Sequence, residues 1–546
     1  MASSTNEDHS KTQDKRSMSN NFYKPDNNDR KNLRYYFAQY CSATSIHGTQ
    51  YLGERGRSLI ERLFWILVIT AVSTLCVMLI VKTYKKWVTS PVIVTFATTE
   101  TPISNIPFPS ITICPEVKTD PDTFNYTDAY VKRMMKKELN YFEKTMEQSI
   151  SLVCQENDLP FGDFSGYNDF IEDDGVYLLI TSAPELDPIE ISEVSWKGDK
   201  KKPDDYLDFL FTREGVCYNF NMLNVEDILR DPEEYSQNVS KKINKIRGWS
   251  LDGGYPKISV NDSYPRRTVF TGLDGGFSFN AMFVNGSHLD YVCGDSLQGF
   301  KVVLHHPADW PNLDKHFRVP LDEAVHVGIK PRLTTISDEL KSYSPENRKC
   351  YLSDEKRLLY FKVYTQNNCM EECFANYTLK KCDCQAFYMP KFHDGPICGP
   401  GKRKCIEESK INYMAVDGDK CACLPSCTYL EYDLELTQTN WNWHSAFDIF
   451  RKTGLSSSIE IDNVHLSRLV VYFKDMQFLS AERHELYGIV DFLSNIGGLL
   501  GLFIGFSFTS CIEIIYFCTL RLWCNYKKYG RRYWSGEPEL VDGKEE

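Results

Sequence analysis

Two long apolar runs stand out from an otherwise mixed pattern of hydrophobic and polar positions. The first, from Leu63 to Val81, contains 19 residues and no charge. A helix of that length covers roughly 30 Å, the thickness of the hydrocarbon core of a bilayer. More than sixty residues precede the run and no small-residue cleavage site follows it, which argues against a signal peptide. The run therefore predicts a helix that spans a membrane.

The second apolar run extends from Leu486 to Cys524 and is too long for one straight crossing. Its centre, Phe492 to Ile512, has 21 uncharged residues and includes the glycine-rich stretch IGGLLGLFIGFS. The surplus length leaves room for a break in the helix, which a membrane tolerates only where the break lines a cavity or is buried in protein. Glu513 follows directly, and because a carboxylate is costly in lipid it should face protein or water.

The region between the two runs has a different composition. Its 398 residues, from Val88 to Glu485, hold fourteen of the nineteen cysteines and all five Asn-x-Ser/Thr sequons. Disulfides and glycans require an oxidising, extracellular side, and a basic segment from Arg521 to Arg532 follows the second run. We therefore expect two spans with both termini in the cytosol. The expected glycosylation sites are Asn125, Asn238, Asn261, Asn285 and Asn376.

Composition and motifs exclude several other classes of protein. The chain has 42% hydrophobic and 25% charged residues, close to the globular average, and its net charge of −12 argues against a nucleic-acid partner. It lacks the motifs Gly-x-Ser-x-Gly, His-Glu-x-x-His and Gly-x-x-x-x-Gly-Lys-Ser/Thr, so we expect no enzyme. We also expect no cofactor and no metal site. His305 and His306 are adjacent in a predicted strand and point to opposite faces, which makes joint ligation of a metal improbable.

The cysteines between the spans form an even set, as seven disulfides require. Zinc is the competing interpretation of Cys369-x-x-x-Cys373, but an extracellular, glycosylated region favours disulfides. Residues 368–377 predict a helix that places these two cysteines on one face, while Cys421 and Cys423 alternate as in a strand. The two spacings nearly match, so two bridges can lie side by side. The predicted pairs are Cys369–Cys423, Cys373–Cys421, Cys350–Cys427, Cys382–Cys405 and Cys384–Cys398.

Local patterns give further expectations. Apolar residues at spacings of three and four predict one amphipathic helix from Asp128 to Ile150. Residues 301–305 and 469–473 predict strands, and the two tails, 1–32 and 535–546, have the composition of disordered segments. Acidic clusters at residues 172–174 and 204–205 are candidates for carboxyl groups with raised pKa values, although such runs are usually solvated loops.

Six motifs in order carry a resemblance to a known family. They are SIHG at residues 45–48, SPVIVTFATTETP at 90–102, FPSITIC at 108–114, FTREGVCYNF at 211–220, the cysteine block at 350–427 and GLFIGFS at 501–507. The chain thereby resembles the degenerin/epithelial sodium channel superfamily, which includes the acid-sensing channels, and is most similar to its insect pickpocket branch.

The resemblance implies an α+β membrane protein. Two transmembrane helices would flank a large disulfide-rich β-sheet ectodomain with palm, finger and thumb regions, the finger and thumb being helical, and three subunits would surround one pore. It also implies the pair Cys114–Cys217, which leaves Cys154–Cys293 by elimination. The expected segments are a cytosolic N-terminal part (1–58), the first span (59–84), the ectodomain (85–485), the second span with pore and filter (486–520) and a cytosolic tail (521–546).

By the same resemblance, Gly505, Phe506 and Ser507 form the selectivity filter. Small residues and an acid recur every four positions, a spacing that suits either a close helix–helix interface or a pore around a three-fold axis. Phe506 departs from the alanine of the acid-sensing branch, which leaves the degree of sodium selectivity open. The expected pore-lining residues are Gly497, Gly501, Thr509 and Glu513.

Gating residues follow from the resemblance too. Ser494 matches a position where bulky residues hold channels open, and His47 and Gly48 match a cytosolic motif that affects open probability. Gly501 matches a position implicated in block by amiloride-like cations. Asp491, at the outer end of the second span, either concentrates cations at a pore mouth or merely solvates a helix end.

The expected function is a subunit of a trimeric, sodium-permeable, amiloride-sensitive cation channel of the plasma membrane, gated through its extracellular domain, in a sensory or epithelial setting. Its partners would be sodium ions, the lipid bilayer and related subunits in a homo- or hetero-trimer. The alternative is a two-span receptor or ectoenzyme without a pore. An ATP-gated channel is a third, less well matched possibility.

Overall fold

The structure is a computed structural model that describes residues 27–89, 92–154, 166–186, 192–232, 248–257, 260–294, 296–390, 395–453, 463–486 and 488–537. The described residues form two compact units, divided after Pro91 and after Glu485. The helical unit contains the residues before 92 and after 485. The sheet unit is Val92–Glu485.

Long helices dominate the two ends of the described chain, whereas strands and shorter helices alternate between them. The α-helices are α1 Asn27–Ala43, α2 Gln50–Gly53, α3 Leu59–Thr89, α4 Tyr126–Met134, α5 Tyr141–Ser151, α6 Asp173–Thr181, α7 Pro203–Tyr206, α8 Val225–Ile228, α9 Asp338–Lys341, α10 Pro345–Arg348, α11 Gln366–Cys382, α12 Arg403–Asn412, α13 Trp443–Lys452, α14 Ile489–Ile504, α15 Phe508–Cys518 and α16 Leu520–Tyr529. The β-strands are β1 Val92–Phe96, β2 Thr101–Pro102, β3 Ser110–Pro115, β4 Phe170–Ile171, β5 Val194–Trp196, β6 Asp199–Lys201, β7 Asp208–Thr212, β8 Gly215–Phe220, β9 Phe277–Asn285, β10 Phe300–His305, β11 Phe317–Val319, β12 Glu323–Ile336, β13 Ile397–Cys398, β14 Tyr429–Asn440, β15 Val464–Phe473, β16 Gln477–Phe478 and β17 Ala481–Glu485.

In the helical unit, α3 is long and apolar enough to cross a membrane by itself. It contains the whole predicted run from Leu63 to Val81. The second run is divided between α14 and α15–α16, which pass the same test together and are bent by 66° at a short break. The break that the surplus length allows is therefore present in the structure.

The sheet unit is built on two sheets. An eight-stranded mixed sheet has the order β1-β17-β12-β15-β9-β5-β6, with β14 paired to β12, and a five-stranded sheet has the order β11-β10-β3-β8-β7. β12 pairs in parallel with both β15 and β17. β15 is mostly buried on both faces and its C-terminal half is apolar, as suits a central strand, whereas the polar C-terminal half of β14 is exposed.

One aromatic core draws side chains from both sheets of the sheet unit. Phe108 contacts Phe220 and Phe473 edge to face, and Phe220 packs against Phe277 with ring centroids 4.6 Å apart. All four side chains are fully buried. At about 2 kcal/mol for each apolar side chain removed from water, this cluster is a main source of the unit's stability.

Of the local predictions for helices, strands and tails, three are confirmed and three are wrong. Strands β10 and β15 include the predicted residues 301–305 and 469–473, and α11 contains the helix predicted at 368–377. The single helix expected from Asp128 to Ile150 is two helices, α4 and α5, because Lys136 adopts a left-handed conformation and Asn140 caps α5. Cys421 ends a 3₁₀ turn and Ala422 has φ +48°, so the strand expected at Cys421–Cys423 is absent.

The third correction concerns the tails. Asn27 to Asn32 belong to α1, and Asn32 and Ser535 are both buried, so these ends of the expected disordered segments are ordered. The remainder of the two tails, residues 1–26 and 538–546, lies outside the described residues.

Candidate functional site

The break between α14 and α15 is made by the three residues Gly505, Phe506 and Ser507. Gly505 ends α14 in the left-handed region, with φ +71°, and its N–H donates to the carbonyl of Gly501 at 3.0 Å. Ser507 begins α15: its hydroxyl accepts from the N–H of Ser510, and Ser510 Oγ accepts from the N–H of Ser507 at 3.1 Å. The sequence thus encodes a helix stop and a helix start within three residues.

His47 lies directly against this break. Its backbone N–H donates to the carbonyl of Ile504 at 2.8 Å, and a β-carbon added to Gly505 would lie 2.6 Å from the His47 ring. Gly48 has φ +80° and approaches the Ile69 side chain of α3. The structure therefore brings the His-Gly pair to the glycine break, although more than 450 residues separate them in the sequence.

Polar contacts continue from the break into α15. Ser507 Oγ lies 2.7 Å from Thr509 Oγ1, and Ser45 Oγ lies 2.7 Å from Ser510 Oγ. The carboxylate of Glu513 accepts the backbone N–H of Ser45 at 3.3 Å. Glu513 is thus partly buried against protein, as the cost of a carboxylate in lipid requires.

Ser494 and the three glycines of α14 leave one face of the helix open. A β-carbon added to Gly497, Gly498 or Gly501 would meet no described atom within 4 Å apart from the backbone of its own helix. Ser494 is exposed, with its hydroxyl bonded to the Val490 carbonyl in its own helix.

The opposite face of α14 packs on α3. The Phe492 ring stacks on Trp87 with centroids 4.6 Å apart, and Cys76 Sγ lies 3.7 Å from the Leu499 carbonyl. Contacts within this chain therefore explain the apolar side of α14 and leave its small residues without a packing partner among the described residues.

Asp491 lies in the first turn of α14. One of its carboxylate oxygens accepts the N–H of Gly488 at 3.4 Å. An acid in this position stabilises the positive end of a helix dipole. The contact supports the helix-end interpretation of Asp491 without excluding a role at a pore mouth.

A contact between the two ends of the helical unit was not expected from the sequence. The Tyr36 and Tyr40 rings pack edge to face on Phe517, Asn32 Nδ2 donates to the Arg532 carbonyl at 2.9 Å, and Ser535 Oγ donates to Asn32 Oδ1 at 2.6 Å. The only signal that could have found it is the spacing of tyrosines along α1 on one helical face.

In the sheet unit, the cysteines form the seven expected pairs: Cys114–Cys217, Cys154–Cys293, Cys350–Cys427, Cys369–Cys423, Cys373–Cys421, Cys382–Cys405 and Cys384–Cys398. Two of the three bridges from α11 attach its Cys369 face to the segment at Cys421–Cys423, although that segment is a turn. Side-chain direction rather than strand geometry makes the two bridges possible.

The expected glycosylation sites have different surroundings. Asn125 caps α4, Asn285 caps a short turn, and the Asn261 side chain accepts from Lys197 at 2.7 Å. Asn376 accepts from the Tyr360 hydroxyl at 3.1 Å and is partly buried. Asn238 lies outside the described residues.

Two carboxyl groups outside the predicted acidic clusters have strongly shifted titration. Burial raises the pKa of Asp309 to about 6. Burial also raises the pKa of Glu371 to about 7, against the lowering effect of Arg213 and Lys410. Both groups therefore change charge near neutral pH. Asp309 has no acidic neighbour in the sequence, whereas Glu371 is followed by Glu372, a pair like the one at residues 204–205.

Comparison with known proteins places these features in one family. The model of the amiloride-sensitive sodium channel family (ASC) matches residues 40–517. Pickpocket protein 28 of Drosophila melanogaster is 27% identical over 517 residues, which cover 90% of this chain and 80% of the relative.

Two further relatives agree. Sodium channel protein Nach of Drosophila melanogaster is 23% identical over 521 residues, covering 91% of this chain and 89% of the relative. Acid-sensing ion channel 2 of Danio rerio is 29% identical over 218 residues, covering 40% of this chain and 39% of the relative. The chain belongs to the amiloride-sensitive sodium channel family, whose members are plasma-membrane ion channels and not enzymes.

Proposed function

We propose that this chain is one subunit of a trimeric, sodium-permeable and amiloride-sensitive cation channel. Each subunit would contribute two spans, α3 and the broken pair α14–α15, with both termini in the cytosol and the sheet unit outside the cell. Three copies of α14 and α15 would line the pore. Membership of the family supports sodium conduction and assembly from related subunits, and the remaining points are this proposal.

The break at Gly505–Ser507 is the observation that carries the proposal. Irregular backbone is tolerated within a membrane where it lines a cavity, and the end of a helix leaves carbonyl groups without intrahelical partners. These carbonyls and the Ser507 hydroxyl can replace part of the hydration shell of a sodium ion, as in other selectivity filters. Glu513 in three copies would add negative charge below the filter and favour cations.

The open glycine face supports the same arrangement. Small residues at Gly497 and Gly501 allow the backbones of three α14 helices to approach closely, while the Phe492 face remains packed on α3. The contact of His47 with Ile504 and Gly505 would couple the cytosolic segment to the filter and so to open probability. Gating would begin in the sheet unit, which lies outside the cell in this arrangement.

Recording from oocytes that express Ser494→Val tests the proposal without knowledge of the stimulus. We expect a sustained sodium current that amiloride reduces, because a bulky residue on the open face of α14 prevents closure. Leu493→Val is the matched control, since Leu493 is exposed on a different face of the same helix. Absence of current from Ser494→Val, alone and with related subunits, despite protein at the surface, would refute the channel proposal.

Cysteine accessibility then locates the pore. In the Ser494→Val background, a cationic thiol reagent should reduce the current through Gly501→Cys and leave Leu502→Cys unchanged. Leu502 is the matched control because it is 77% exposed at the next position of the helix. Equal sensitivity of the two variants would contradict a pore along the glycine face.

A further inference from the structure

A cavity of about 390 Å³ lies in the sheet unit between the five-stranded sheet and the cysteine-rich segment. One side is formed by the turn between β7 and β8 and by β10 and β11. The other is formed by a single face of α12, which presents Arg403, Ile406, Glu407 and Lys410 at helical spacing. Leu152, at the end of α5, closes a third side.

The floor of the cavity, formed by Glu214, Lys301 and Arg318, belongs to a layer of ion pairs that also includes Glu116 and Lys118. Glu214 lies between two lysines, 2.8 Å from Lys118 Nζ and 2.9 Å from Lys301 Nζ. Glu116 likewise contacts both Arg318 and Lys301. Burial would raise the pKa of Glu214, but Lys118 and Lys301 together hold it well below its usual range. Each carboxylate of this layer is therefore shared between two cations rather than paired with one.

The rim of the cavity, which carries Arg213, Arg403 and Lys410, also has a carboxylate shared between two cations. Asp314 accepts from Arg213 at 2.6 Å and from Lys410 at 2.9 Å, so one carboxylate again serves two cations. Arg403 lies 3.6 Å from Glu407 and donates to the Ser151 carbonyl. Among the described residues, the floor and rim with the groups paired to them hold six cations and five carboxylates: the cations are Lys118, Arg213, Lys301, Arg318, Arg403 and Lys410, and the carboxylates are Glu116, Glu214, Asp314, Glu371 and Glu407.

Most of the remaining lining is apolar, and His316 and Tyr388 are its polar side chains. Leu152, Val153, Phe387 and Ile406 face the same space as the cations. A volume of this size is at the lower end of the range for small-molecule sites, roughly 300–1,000 Å³. The cavity therefore combines an excess of positive charge with a hydrophobic surface large enough for one small organic group.

We propose that this cavity binds a small organic carboxylate, with its anionic group on the Arg213–Arg403–Lys410 rim and its apolar part against Leu152, Val153 and Phe387. The carboxylate would add charge-assisted hydrogen bonds to rim cations that share their acids with one another. An occupant would also join α12 to the β7–β8 turn. Any effect of that link on ionic current rests on the proposed channel function, whereas binding itself does not.

Binding to the purified full chain in detergent tests the proposal directly. The probe is phenylacetate, compared with phenylacetamide, which has nearly the same shape and no charge; saturation-transfer NMR and the shift of the unfolding temperature report on each. We expect the acid to bind and the amide to bind at least about tenfold more weakly, since a charged group can form the stronger hydrogen bonds. Equal binding of acid and amide would overturn the proposal.

Variants place the site. Arg403→Gln combined with Lys410→Gln should weaken phenylacetate binding about tenfold or more, while Asp314 keeps its contact with Arg213. Lys404→Gln is the matched control, because Lys404 is exposed and does not line the cavity. Leu152→Trp leaves every charge in place and should abolish binding by filling the apolar side, so the proposal stays testable even if the double variant folds poorly.

Three results would contradict the site. They are unchanged affinity in the double variant, unchanged affinity in Leu152→Trp, and inorganic phosphate that competes as well as phenylacetate does. Competition by phosphate would mean that the ligand is held by the cations alone and that the apolar surface does not contribute to binding. A silent channel accompanied by normal phenylacetate binding would refute the channel proposal and leave this one standing.

Discussion

The two units of this chain stabilise themselves in different ways. The sheet unit contains its own core, its seven disulfides and its buried ion pairs within one chain. The helical unit exposes apolar side chains along α3, and at three of its glycines an added β-carbon would meet no described atom outside the neighbouring turns of its own helix. The difference teaches that one part of a chain can bury its apolar surface within itself while another part leaves apolar surface that a membrane can cover.

Removing a buried charge should have the largest effect and would confirm that the sheet unit is self-contained. Glu214→Gln leaves Lys118 and Lys301 buried without their shared carboxylate, so we expect a loss of ~3–5 kcal/mol of unfolding free energy. Glu435 also lies between two lysines, Lys330 and Lys474, but these groups are exposed. Glu435→Gln is therefore the matched control. Chemical denaturation of the purified chain measures both variants, and a similar loss of unfolding free energy in the two would contradict the comparison.

The disulfides come next. Replacement of Cys114 and Cys217 by alanine opens a bridge whose two side chains are fully buried, and should cost ~2–5 kcal/mol. We expect the amount of protein at the cell surface, measured by biotinylation, to fall sharply. Cys511→Ala removes an exposed free thiol of the helical unit and should leave surface protein unchanged. An equal reduction in both would mean that the two units do not differ in this respect.

The glycine break gives a test within the helical unit. Gly505→Ala places a side chain in the left-handed region, at a cost of ~1–2 kcal/mol, and drives its β-carbon into the His47 ring. We expect a lower unfolding temperature of the purified chain. Adding His47→Ala to the same chain removes the ring that the new β-carbon meets. It should restore the share of the unfolding temperature lost through that contact, while the share lost through backbone strain remains. Failure of the second substitution to restore anything would show that the two residues do not meet.

Protonation of Glu371 should make the stability of the sheet unit depend on pH. Its folded pKa of about 7 lies above its ordinary value of 4.5. The stability that the protonated carboxyl contributes to the folded state is therefore fully present below pH 4.5 and is lost as pH rises through 7. The unfolding temperature of Glu371→Gln should therefore rise relative to that of the wild type between pH 5.5 and pH 8. A constant difference across this range would contradict burial of the carboxylate.

Gly497→Ala should have the smallest effect on the stability of a single chain and a clear effect on assembly. The added methyl group of Gly497→Ala meets no described atom outside its own helix and should stabilise α14 by ~0.5–1 kcal/mol. If three helices approach along this face, the added methyl group should reduce the trimer fraction measured by light scattering in detergent. Leu502→Ala, on a more exposed position, is the control. An unchanged trimer fraction in Gly497→Ala would place the glycine face away from the subunit contacts.

Much of the helical unit could be predicted because its signal is local. Nineteen apolar residues within α3, and a second run too long for one crossing, are visible in the sequence itself. The residues that form the break were expected from the resemblance. The position of His47 beside Gly505 was not predictable in the same way, since nothing within SIHG indicates which distant residue it will contact.

The sheet unit was predicted less evenly. The pairing of Cys369 with Cys423 followed from the helix at α11, yet the strand assumed for Cys421–Cys423 is wrong, because Ala422 turns the backbone instead. The apolar spacing from Asp128 to Ile150 continued through a break that only Asn140 signals. The cavity beside α12 could not have been found, since the cations of its floor, its rim and the groups paired to them come from five separated segments of the chain.

The bond between Asn32 and Ser535 has a consequence for biosynthesis. These residues are 503 positions apart, so α1 emerges from the ribosome long before its partner exists. At ~5–20 residues per second, the nascent N-terminal segment waits roughly half a minute to two minutes. During that interval the sheet unit can fold and oxidise, since its last cysteine, Cys427, precedes Ser535 by more than a hundred residues. The first helix of the described chain, α1, is therefore among the last to form its tertiary contacts.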